Sequence, residues 1–169
     1  MLSESAKMSS AAEARFRINE PNSKPRHVKV VALDGASETV VKHLAKLNWN
    51  NASFFTASAF AGEPPKSGFS MRGWLSDLAG RTKDLIDEVE SADLVVMVAT
   101  AGENAHAAAL VGEACSLKRV NTTGLILGGA AATDDMLSKT LSQLRPWSLM
   151  LVIANGEDYI EDMLIALRA

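Results

Sequence analysis

A single cysteine, Cys115, stands in a chain of 169 residues. One thiol cannot form a disulfide within the chain, so no cross-link supports the fold, and the usage fits a reducing compartment, read as cytoplasmic. Long apolar runs are missing too. None approaches the roughly 18 residues that span a bilayer, and no membrane partner is expected. The first residues mix Glu4, Lys7 and Glu13 with serines and alanines, so the apolar segment of a secretion signal is lacking. Neither charge sign dominates. With 17 Lys and Arg against 20 Asp and Glu, the net charge is −3, which provides no electrostatic footprint for nucleic acid, and no nucleic-acid partner is expected. Sequence repeats and heptads are absent.

Chemical motifs are also scarce. The first strand candidate is not followed by Gly-x-Gly-x-x-Gly, and Gly-x-x-x-x-Gly-Lys-Ser/Thr occurs nowhere. His27, His43 and His106 have no metal-ligand spacing with Cys115, so no metal is expected. A triad of Ser37, His106 and Asp134 lacks the Gly-x-Ser-x-Gly elbow. Thr100 stands where a phosphorylatable receiver aspartate would end the third strand.

What is present is a regular alternation. Leu94-Val95-Val96-Met97-Val98-Ala99 is a continuous apolar run, the pattern of a parallel strand buried on both faces. An alanine-rich helical pattern, Ala105 to Leu117, follows it. Further strands are read at His27–Leu33, Ala52–Thr56, Thr122–Leu127 and Leu149–Ile153. Helices are read on Val40, Val41, Leu44 and Leu47 with Ser37 as cap, around Trp74, Leu75 and Leu78, and around Leu85, Ile86 and Val89. Two more follow Thr133, stopping at Pro146, and Asn155-Gly156, with Ile160, Met163, Leu164 and Leu167 on one face. Five strands alternating with helices require crossover connections. The expected fold is therefore α/β, a single doubly wound, Rossmann-like three-layer sandwich over residues 27–169 with a mainly parallel five-stranded sheet. Residues 1–26, with Pro21 and Pro25, are read as a flexible arm.

Open α/β sheets bind ligands at the carboxyl ends of their strands. Three turns fall there: Asp34-Gly35-Ala36-Ser37, Thr100-Ala101-Gly102-Glu103-Asn104 and Gly128-Gly129 through Thr133. Each pairs glycine with a helix start, so backbone can approach a ligand and offer N–H groups to an anion. The same small residues also suit the corners of any such sandwich. The candidate ligand-binding set is Asp34, Gly35, Ser37, Thr100, Gly102, Glu103, Asn104, His106, Gly128 and Gly129. Gly35, Gly102 and Gly128 are expected to line one crevice. Cys115, beside Leu110 and Val111, reads as a buried inert thiol. Phe60, Phe69, Met71 and Trp74 lie near three glycines in a long loop that reads equally as a lid or contact surface and as a segment whose Phe69 and Trp74 cap the core; the first reading, together with the arm, suggests a homodimer.

Ala92-Asp93-Leu94-Val95-Val96-Met97-Val98-Ala99-Thr100-Ala101-Gly102, with Leu33-Asp34-Gly35-Ala36 before it, resembles the nucleotide-binding domain of the FtsZ/tubulin superfamily over roughly Val28 to Ile153. The family's phosphate loop, Gly-Gly-Gly-Thr-Gly-Thr-Gly, is replaced by Glu103-Asn104-Ala105-His106-Ala107-Ala108-Ala109. The resemblance thus implies a degenerate domain without GTP hydrolysis or filament formation, and a strand order of 3-2-1-4-5; a flavodoxin-like domain would have 2-1-3-4-5. The expected function is a non-catalytic or weakly ligand-binding module that takes a small anionic ligand or a protein partner at the carboxyl edge. The alternative is a small enzyme acting on a nucleotide-like or phosphorylated compound, with Asp34, Glu103 and His106 as its polar groups. No catalytic residue or cofactor is assigned.

Overall fold

Val28–Ala32 (β1) reads Val-Lys-Val-Val-Ala, and every residue but Lys29 is fully buried. Such a strand needs cover on both faces, and the computed structural model, which describes residues 24–57, 74–77 and 82–169, supplies it. Along the chain β1 is followed by α1 (Gly35–Leu44), β2 (Ala52–Thr56), β3 (Trp74–Asp77), β4 (Thr82–Asp84) and α2 (Leu85–Glu90). Then come β5 (Leu94–Thr100), α3 (Ala107–Lys118), β6 (Asn121–Leu127), α4 (Asp134–Leu144), β7 (Met150–Ala154) and α5 (Asp158–Ala166).

The sheet order is β4-β3-β2-β1-β5-β6-β7. Strands β2, β1, β5, β6 and β7 are all parallel, while β3 and β4 add an antiparallel pair at the β2 edge. The fold is thus a Rossmann-like three-layer α/β sandwich, with two more strands than expected. The helix expected around Trp74 and Leu75 is strand β3 instead. Its apolar residues suited either period, and pairing with β2 at Phe55↔Asp77 and Thr56↔Ser76 selects the extended form. Phe60, Phe69, Met71 and the arm up to residue 23 lie outside the described residues.

Counted in chain order, the five parallel strands run 2-1-3-4-5, the flavodoxin-like alternative and not the order implied by the FtsZ resemblance. Val28, Val30, Val96, Val98 and Leu125 face Val41 and Leu44 of α1 and Ile160 and Leu164 of α5. Val31, Val95, Met97 and Ile126 face Leu85 and Val89 of α2, Val111 and Cys115 of α3 and Leu144 of α4. The core lies on both faces of one sheet, because the connections run outward in opposite directions from the β1–β5 pair. Lys29, the one polar residue of β1, pairs with Glu88 of α2 at 2.9 Å. A tight contact joins α3 to the 3₁₀ turn Arg145–Trp147 that follows α4: a Cβ on Gly112 would lie 2.5 Å from Cβ of Trp147.

Candidate functional site

The carboxyl ends of β1 and β5 lie side by side, Ala32 in register with Val98. One connection leaves toward β2 and the other toward β6, so this is the switch point of the sheet, where open α/β folds form a crevice. Asp34, two residues beyond the end of β1, lies at this point and is only 2% exposed. It, and not Ser37, is the N-cap of α1, with an extended backbone. Oδ1 accepts the Ser37 N–H at 2.8 Å, and Ser37 Oγ accepts the Asp34 N–H at 3.2 Å, a reciprocal capping box. Across the switch point, Asp34 Oδ2 accepts the Thr100 N–H at 2.8 Å, and Oδ1 accepts the Thr100 hydroxyl at 3.1 Å. Both oxygens are therefore engaged in closing the fold.

The turn after β5 is clamped by α4. Gly102 has φ +87°, and a Cβ there would fall 2.7 Å from Cε of Met136. Its N–H donates to Thr140 Oγ1 at 3.0 Å, and its carbonyl accepts Lys139 Nζ at 2.9 Å. Thr140 is fully buried, and its hydroxyl also lies 3.3 Å from the Glu103 carbonyl oxygen. The Ala105 N–H donates to Gln143 Oε1 at 2.6 Å. Asn104 Oδ1 accepts the His106 N–H at 3.1 Å. His106 is half-buried at the N-cap position of α3, and its ring makes no capping bond. Glu103 is exposed.

The turn after β6 is built differently. Gly128 has φ +79° with nothing within 4 Å of the place a Cβ would take. Gly129 opens a short 3₁₀ turn to Ala131 and packs against Ile153 of β7. Gly35, the first residue of α1, likewise borders open space. The structure thus brings the three turns to the ends of adjacent strands β1, β5 and β6. Asp34, Ser37 and Thr100 meet in one buried hydrogen-bond cluster; Gly102 is covered, and Gly35 and Gly128 are open.

Cys115 is buried in α3, and desolvation lifts its thiol from 9.0 to about 12. That suits a core residue and not a nucleophile, which needs a lowered pKa. Asp134 and Asp135 sit in the first turn of α4, capped by Thr133, where carboxylates meet the positive dipole end. Among the described residues no three His, Cys, Asp or Glu side chains gather into a metal-binding group, and no helix is long and apolar enough to cross a membrane.

Lys139, Thr140 and Gln143 form the clamp, yet nothing in the motif pattern marks them. One signal was present: Thr140 lies on the apolar face of α4, among Met136, Leu137, Leu141 and Leu144. A polar residue at a core position needs a partner, and here it is the turn.

No protein-family model matches the chain, and no curated protein matches it. Among solved structures it is similar to translation elongation factor SelB from Methanococcus maripaludis in complex with the GTP analogue GppNHp, at a TM-score of 0.46 and 9% identity. The similarity covers 86% of this chain and 34% of that one. The apo form of the same factor gives a TM-score of 0.45 at 12% identity, over 86% of this chain and 37% of that chain. The chain thus spans about a third of the length of these structures.

Proposed function

We propose that the protein is a non-catalytic α/β module that binds a protein partner at the carboxyl edge of its sheet. The observation that carries this reading is the state of Asp34. A general base or metal ligand at the switch point must offer a free oxygen to the reacting group. Both oxygens of Asp34 are held by Ser37 and Thr100, so catalysis through Asp34 would have to break the cap of α1 and the β1–β5 tie together.

Charge favours a protein over an anion at this edge. Exposed Glu103 belongs to the β5 turn, and Asp134, Asp135 and Asp158 open the helices that follow β6 and β7. These carboxylates offset the attraction of the helix N-termini for a phosphate and repel a triphosphate. The open turns at Gly35 and Gly128 leave backbone within reach of a partner's side chains. Thermal unfolding in the presence of GTP with magnesium, other nucleotides, dinucleotides and phosphosugars tests the reading. No stabilisation is expected. A ligand saturating at 100 times its Kd would add about 2.7 kcal/mol, and micromolar binding of GTP in an equilibrium titration would overturn the proposal.

A further inference from the structure

The outer side of α4 carries a stripe with an unusual symmetry. Asp134, Leu137, Ser138, Leu141, Ser142 and Arg145 line a groove of about 340 Å³. Their spacing of three and four residues places them along one side of the helix. Asp134 and Arg145 are equally far from the midpoint between Lys139 and Thr140. So are Leu137 and Ser142, and so are Ser138 and Leu141. An antiparallel copy of the same helix therefore meets this stripe with each leucine opposite a serine and each aspartate opposite an arginine. Serines leave room for the facing leucines, and the charges are complementary.

The stripe also lies where a second copy can reach it. Met136, Lys139, Thr140 and Gln143 of α4 grip the turn after β5, and Leu137 and Leu141, half-buried, border the groove while also packing against the core. Beyond α4 the chain turns into β7, the edge strand of the sheet. There Leu149 is 78% exposed, and Met150 and Ile153 are about half exposed. Strand β7 is an edge without a charge or proline of its own, Met-Leu-Val-Ile-Ala, whereas the other edge, β4, is a three-residue Thr-Lys-Asp. Natural sheets usually blunt an edge as β4 is blunted, with a short strand and charge.

We propose that a second copy of this chain docks on the α4–β7 face across a two-fold axis. In that dimer α4 runs antiparallel to its counterpart, Asp134 faces Arg145 of the partner subunit, and Leu149 and Ile153 are covered. This surface is distinct from the turns assigned to the protein partner. Sedimentation velocity of the full chain, with Asp134→Arg and Arg145→Asp variants, tests it. Wild type is expected to sediment as a dimer. Each variant alone places like charges at both ends of the helix pair and should weaken association roughly tenfold or more. An equimolar mixture of the two restores both Arg–Asp contacts and should recover the dimer, an outcome that a merely misfolded variant cannot produce. A wild-type chain that stays monomeric at high micromolar concentration overturns the proposal. So does a dimer that neither variant weakens, which would place association on another surface.

Discussion

The turns after β5 and β6 lie on neighbouring parallel strands, and each contains a glycine with positive φ, yet they are built to opposite ends. Gly102 is covered by Met136 and bonded through its N–H to Thr140 and through its carbonyl to Lys139. Gly128 borders nothing within 4 Å of its missing Cβ. Both occupy the place where open α/β sheets bind ligands, but one is an internal joint and the other a surface. Position in a fold marks where a site can form. What the neighbouring side chains do with the polar groups decides whether it does.

The strongest way to break the joint is Asp34→Ala. It removes the cap of α1 and leaves the Ser37 and Thr100 N–H groups without their acceptor, so a loss of about 2–4 kcal/mol is expected in chemical denaturation. Asp34→Asn keeps one oxygen and should lose less. Were Asp34 chiefly a ligand-binding group, its replacement would leave stability unchanged or raise it.

Next in size is the contrast between Gly102→Ala and Gly128→Ala. Both force a Cβ into a left-handed backbone, at about 1 kcal/mol. Only at Gly102 does the new methyl meet a side chain, Met136, adding about 1–2 kcal/mol of overpacking. The difference between the two variants is the measurement. Equal losses would mean that the turn after β5 is as open as the one after β6.

Thr140→Val should lose about 1–2 kcal/mol, because it keeps the shape and leaves the Gly102 N–H without its acceptor. An unchanged midpoint would mean that Lys139 and Gln143 suffice to hold the turn.

How much of this was legible in the sequence follows from the range of each interaction. The parallel core strands were readable because double-sided burial leaves an unbroken apolar run, as in Leu94–Ala99. The cap of α1 lies three residues before the one expected: Asp34 and Ser37 are both good capping residues, and their reciprocal bonds settle the roles only in three dimensions. Trp74–Asp77 was misread because its form depends on pairing with β2, a partner that local periodicity does not encode. The clamp of Lys139, Thr140 and Gln143 on a turn nearly forty residues earlier was hidden for the same reason. The palindromic stripe of α4 was in plain view, but only the fold shows which side of the helix is already taken.

The smallest effect concerns Cys115, on the helix that begins at the clamped turn. Burial raises its thiol to about 12, against 9.0 ordinarily, so the thiolate is disfavoured in the fold. The direction of the pH dependence follows: the stability linked to this group is fully present below pH 9 and is lost as pH rises from 9 toward 12, where the unfolded chain ionises first. At pH 8 alkylation of the native protein should therefore be limited by opening of the fold, with full reactivity in denaturant. The label then reports on the comparison itself. Asp34→Ala, Gly102→Ala and Gly128→Ala should each speed labelling in proportion to their lost stability, Gly128→Ala the least. Rapid alkylation of the wild-type thiol at pH 8 without unfolding would place Cys115 in contact with solvent and remove it from the core.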